Sequence, residues 1–181
     1  SGGGQGGGVI RIQATSAVAV SGALRANGSD ATGGGGAGGS IWVDAPNISG
    51  TGVVEARGGN GNPSYGAGGG GGGRVALTGF EVIAGSFEDG NLADATSVRG
   101  GSGYASQYGG AGTVHRRGKD QTYGDLLIDN EGKPTFAGST PLPVAAEGKV
   151  DLVKQGELRD YDAGMPEGAF MGTWVRPDVE A

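Results

Sequence analysis

His115 is the only histidine in the chain, and there is no cysteine. Histidine pairs, thiolate metal sites, disulfides and cysteine nucleophiles are excluded within it on that count alone. A histidine-activated serine would have to use His115 itself. In the repeat alignment below, however, His115 falls at an outward strand position beside Arg11, Trp42 and Ala76. Glycosidic chemistry needs two carboxylates roughly 5–10 Å apart in a cleft. Asp44 aligns with Gln13 and Thr78 rather than with a second acid. Glu88-Asp89 and Asp160/Asp162 sit in loop-like surroundings, and Asp151 has only Asp160 as a distant companion. The phosphate-loop pattern GxxxxGK[ST] is absent. So is the nonapeptide calcium repeat, although aspartates and backbone carbonyls leave calcium open in general terms. No catalytic, cofactor-binding or metal-binding residue is assigned, and no cofactor is expected.

Binding by aromatic rings is what remains. Trp42, Tyr65, Tyr104 and Tyr108 are the candidate ligand-stacking surface, with sugars as the natural occupant. The three tyrosines lie within or beside glycine runs that would present them outward. The same rings serve equally as anchors that pack those loops down. Trp42 lies between inward Ile41 and Val43, so it faces outward, where Arg11 is expected over its ring.

The elements that position these rings come from an internal repeat. Gly7 to Gly28 (GGVIRIQATSAVAVSGALRANG) aligns with Gly38 to Gly59 (GGSIWVDAPNISGTGVVEARGG). Ile10, Ile12 and Ala14 match Ile41, Val43 and Ala45, and Gly22, Leu24 and Ala26 match Gly52, Val54 and Ala56. Both halves alternate with period two, the pattern of strands with one buried face. A third unit keeps Val75, Leu77 and Gly79, then loosens, with residues 89–99 as a candidate insertion. A fourth has Val114 but Arg116 where the others carry an aliphatic, followed by Gly124, Leu126 and Ile128. The second-half glycines fall at Gly22, Gly52 and Gly124, with a looser counterpart at Gly85. These spacings are about thirty to forty residues, a solenoid period.

The expected fold is therefore all-β: a right-handed parallel β-helix with glycine-rich loops stacked at one corner. The alternative is an antiparallel β-sandwich. Residues 1–132 form the repeat region of about four coils. Residues 133–181, where prolines replace glycines, are a cap, a further coil or the start of another module, with strands at Val150–Val153 and Phe170–Val175.

Glycine makes up 44 of 181 residues, roughly three times ordinary usage. Collagen is excluded because there is no Gly-X-Y period. The tracts 2–8, 33–39, 66–73 and 100–112 pose an energetic question. Ordering a tract of eight residues costs about 8–16 kcal/mol of backbone entropy, with no side chain to bury in return. Backbone hydrogen bonding between neighbouring tracts, as extended or threefold polyglycine strands, is the compensation available. Substituting Gly70 and Gly71 by valine is then expected to destabilise the domain.

Thirteen basic against nineteen acidic residues leave a net charge of −6, and no basic cluster exceeds Arg116-Arg117 with Lys119. A nucleic-acid footprint is absent. No apolar run approaches the ~18–20 residues of a membrane span, so no membrane insertion is expected. The stretches GGGGAGGSIWVDAP, SGTGVVEARGGNG and QTYGDLLIDNEG resemble the glycine-rich β-helical repeats of very large secreted or cell-surface bacterial proteins. That resemblance implies an extracellular stalk or adhesin-like structural segment with no active site; from its opening inside a glycine tract, the chain is expected to be a processed or excised piece of a longer polypeptide. Its expected partners are other segments of its parent, or copies of itself through strand edges, and surface glycans. Alternatives are a carbohydrate-binding or phage-type receptor-binding module displaying aromatic loops, and a polysaccharide-active β-helix enzyme.

Overall fold

The computed structural model describes residues 2–88, 90–134, 152–154 and 157–159. The chain divides into two compact units, Ser1–Gly138 and Ser139–Ala181. Strands are numbered in chain order.

In the first unit, β1 (Val9–Gln13), β2 (Ala17–Ala19) and β3 (Ala23–Arg25) are followed by β4 (Ser40–Asp44), β5 (Asn47–Ser49) and β6 (Val53–Glu55). Then come β7 (Arg74–Phe80), β8 (Val82–Ile83) and a helix α1 (Leu92–Ala95). After them lie β9 (Thr96–Ser97), β10 (Thr113–Gly118) and β11 (Asp125–Leu127). Three sheets result, ordered β1-β4-β7-β10-β11, β2-β5-β8 and β3-β6-β9. Registers match the sequence alignment: Ile10 pairs with Ile41, Ile41 in turn with Val75, and Leu24 with Val54. All three sheets contribute to a common core through Ile41, Val43, Leu77, Ile48 and Val54, each at most 1% exposed.

The expected all-β, right-handed parallel β-helix is corrected by the structure, as is the antiparallel sandwich. The sheets are mixed parallel and antiparallel, and short helical turns interrupt them: α1 and 3₁₀ turns at Pro63–Tyr65, Gly85–Phe87 and Tyr104–Ser106. The break falls at the fourth repeat. Residues around Gly124 do not join β3 and β6. Instead β11 folds back antiparallel on β10, pairing Leu126 with His115 and Leu127 with Val114. Arg116 supplies the physical reason. It occupies the inward register position of Val43 and Leu77, where a buried cation needs a carboxylate. The return of the chain delivers one, with Asp125 accepting from Arg116 at 3.1 Å.

The third repeat is corrected too. The partner of β6 is β9, inside the segment read as an insertion, whereas Gly85 begins a 3₁₀ turn. In the second unit, β12 (Leu152–Lys154) and β13 (Glu157–Arg159) pair antiparallel. The strand expected at Phe170–Val175 lies outside the described residues, as do Val150 and Asp151 of the other.

Candidate functional site

The glycine tracts are ordered by one another, with a period of three. Gly4 and Gly7 donate to the carbonyls of Gly34 and Ala37, Gly35 and Gly38 to Gly68 and Gly71, and Gly69 and Gly72 to Gln107 and Gly110. Each pair of bonds is three residues apart, the repeat of a threefold polyglycine or polyproline-type strand. A second layer lies against this one. Gly36 and Gly39 donate to Ser29 and Ala26, Gly70 and Gly73 to Gly59 and Ala56, and Gly109 and Gly112 to Gly101 and Val98. Strands of the second layer bond among themselves, Gly28 to Arg57 and Gly58 to Arg99.

Glycine is required where neighbouring tracts touch. A Cβ on Gly36 would meet the Gln5 carbonyl oxygen at 1.9 Å, and one on Gly70 the Gly36 oxygen at 2.0 Å. Side chains extend the pattern on the second layer. Asn27, Asp30 and Asn60 accept from the backbone N–H of Arg57, Asn60 and Ser102, at 2.8, 2.6 and 2.8 Å. Sequence reasoning missed this ladder; the signal was an Asn or Asp beside the glycines of successive repeats.

This layer carries two of the candidate rings at its turns. Tyr65 ends the 3₁₀ turn Pro63–Tyr65, whose start is capped by Asn62 accepting from Ser64 N–H at 2.9 Å. Tyr104 begins the turn Tyr104–Ser106, and its own N–H donates to the Ala67 carbonyl at 2.8 Å, tying the two turns together. Both rings stand out, Tyr65 71% and Tyr104 50% exposed. Ala105 and Ser106 hold left-handed backbone at φ 45° and 66°, a conformation costing non-glycine residues about 1–2 kcal/mol each.

Tyr108 and Trp42 lie elsewhere. Lys133 sits over the Tyr108 ring at 5.8 Å and also donates to the Gly100 carbonyl and the Ser102 hydroxyl. Trp42 is on the outer face of the five-stranded sheet, with Arg11 over its ring at 4.4 Å. Its indole N–H donates to Thr78, which in turn donates to Asp44. Of the four aromatic residues, Tyr65 and Tyr104 are thus exposed on turns joined by a backbone hydrogen bond, and the other two rings are engaged in cation–π contacts.

Among the described residues, concavities lie away from the tyrosines. A groove of about 440 Å³ runs where the tracts enter the sheet, between backbone at Gly7, Gly38 and Gly72 and the side chains of Ser40, Arg74 and Thr113. A second, of about 540 Å³, is lined by Phe80, Ile83, Glu88, Arg116, Gln121 and Asp125. Among the described residues no group of three His, Asp or Glu converges as a metal site, and no helix is long and apolar enough to cross a membrane.

Compared with known proteins, the chain matches no family model, no curated protein and no solved structure. The resemblance drawn from its repeats rests on those repeats alone.

Proposed function

We propose that the chain is a structural, adhesive segment of an extracellular bacterial surface or secreted protein. It acts by presenting surface rather than by catalysis. The observation that carries this reading is the exposed pair Tyr65 and Tyr104, held on turns tied to a two-layer glycine lattice. An ordered scaffold lowers the entropy lost when such rings engage a partner. The left-handed backbone of Ala105 and Ser106 beside them is the strain that accumulates where a surface must hold one shape.

The second reading, a carbohydrate-binding module, draws on the same pair, because an exposed aromatic face stacks on a sugar ring. One experiment separates the two. The labelled 181-residue chain is applied to whole cells and to a glycan array, with Y65A/Y104A alongside. Adhesion is expected to fall at least tenfold in the double variant, with its melting unchanged. Saturable binding to a defined glycan favours the second reading. Adhesion untouched by loss of both rings overturns the tyrosine surface altogether.

A further inference from the structure

The lattice demands two residue types side by side, and together they make a chemically labile pair. Asparagine is followed by glycine at 27–28 and 60–61 and nowhere else in the chain. Each glycine is needed for packing. A Cβ on Gly28 would meet the Gly36 carbonyl oxygen at 2.0 Å, and one on Gly61 the Gly68 oxygen at 2.2 Å. Each asparagine is needed for its side chain, which reaches the next strand of the second layer. Asn27 Oδ1 accepts from Arg57 N–H at 2.8 Å, while Gly28 N–H donates to the Arg57 carbonyl at 2.8 Å. Asn60 and Gly61 hold Ser102 in the same way, both bonds at 2.8 Å. Each pair thus grips both backbone groups of one residue on its neighbour. Asn60 is itself gripped from the other side by Asp30 and Ala31, at 2.6 and 3.0 Å.

In a flexible chain an Asn-Gly pair closes on itself. The glycine backbone nitrogen attacks the asparagine Cγ and forms a bond to it. Its proton is passed through water to the side-chain amide, the Cγ–Nδ2 bond breaks, and ammonia leaves. The cyclic imide then takes up one water and opens at either carbonyl, to aspartate or to isoaspartate. Glycine favours the closure, because no Cβ hinders approach and its backbone rotates freely. In the folded chain both conditions are removed. The proton on the attacking nitrogen is committed to a neighbouring carbonyl, and Oδ1 is anchored on the neighbouring N–H. Bringing Cγ onto the nitrogen requires both bonds to break.

We infer that Asn27-Gly28 and Asn60-Gly61 are deamidation sites which the glycine lattice keeps shut, and which react only when the lattice opens. The reaction makes that opening one-way. Isoaspartate adds a carbon to the backbone, which breaks the three-residue spacing that keeps the layers in register. Conversion of Asn27 to aspartate puts a carboxylate oxygen where the amide now donates to Glu55 Oε2 at 3.4 Å. Glu55 is itself buried, and two carboxylates so placed repel. A segment that has lost its lattice is thereby marked chemically and kept from re-forming it.

Peptide mapping of the 181-residue chain by mass spectrometry tests this. The chain is held in mildly alkaline buffer, with and without guanidinium chloride at unfolding strength. Both pairs are expected to convert in denaturant, and on the order of 100-fold more slowly in buffer, where only the opened fraction reacts. Gly70→Ala, which loosens the lattice, is expected to speed conversion at both pairs in buffer. Should that variant not fold, denaturant below the unfolding transition gives the same readout on the parent, with conversion tracking hydrogen exchange at Gly28 and Gly61 N–H. Asn27→Asp is expected to melt below the parent at neutral pH. Equal rates in buffer and denaturant at either pair overturn the inference, as does no conversion in denaturant. Conversion indifferent to lattice opening overturns it too, and a parent-like melt of Asn27→Asp overturns the one-way step.

Discussion

Glu55 shows how the repeat turns a surface charge into a structural one. Its column pairs it with Arg25, which on sequence alone is an exposed rung worth well under ~1 kcal/mol. In the folded chain Glu55 is only 7% exposed. It accepts from Arg25 at 2.7 Å and from Asn27 at 3.4 Å, and pairs with Arg57 at 3.0 Å. Burial by itself opposes its ionisation, but the hydrogen bond from Arg25, the charge of Arg57 and the Asn27 amide outweigh burial and hold the carboxyl below its ordinary value. A folded-state value below the unfolded one gives stability that is fully present above the unfolded pKa, about 4.3, and lost as pH falls through the folded value. Melting temperature is therefore expected to be flat above about pH 5 and to decline below about pH 4. Glu55→Gln should flatten part of that decline. An identical acid profile in the variant would remove Glu55 from the explanation.

Among the elements, β10 and its return through β11 carry the main departure from the repeat. Arg116 stood out in the sequence as a charge in an aliphatic column, and that irregularity did mark the repeat that breaks. Its consequence was not legible. Nothing in QTYGDLLIDNEG distinguishes a strand that stacks parallel from one that folds back, because alternation is the same in both. The choice depends on Asp125 reaching a buried guanidinium. β9 was hidden for a different reason: Thr96–Ser97 is two residues long and has no apolar alternation to read. By contrast β1, β4 and β7 were readable residue by residue, since Ile10, Ile41 and Val75 repeat in both spacing and register. Removing one partner of an ion pair leaves a buried charge uncompensated, at a cost of several kcal/mol. Asp125→Ala, which strips the buried Arg116 guanidinium of this carboxylate, is therefore expected to lower the free energy of unfolding by about 3 kcal/mol. A loss below about 1 kcal/mol would show instead that the pair does not hold the return in place.

At the scale of the molecule, the glycine tracts are a hydrogen-bonded lattice, and the tyrosine surface and strand registers both depend on it. That tracts 33–39 and 66–73 order each other followed from entropy: so many glycines could not be fixed without backbone partners. The second layer, residues 26–31, 56–61 and 98–103, did not follow. Its threefold period is masked by Asn27, Asp30, Arg57, Asn60 and Arg99, which read as loop residues. The lattice also distinguishes Gly70 from Gly71, whose joint substitution by valine is expected to destabilise the domain. A Cβ at Gly70 meets the Gly36 carbonyl oxygen at 2.0 Å, while one at Gly71 has nothing within 4 Å. Ala37, in register with Gly71, already carries such a carbon facing outward and is exposed. Comparing the global unfolding of Gly70→Ala and Gly71→Ala tests this lattice most directly. Gly70→Ala is expected to lose about 3 kcal/mol or more, and Gly71→Ala to stay within about 0.5 kcal/mol of the parent. Equal stability of the two variants would contradict it.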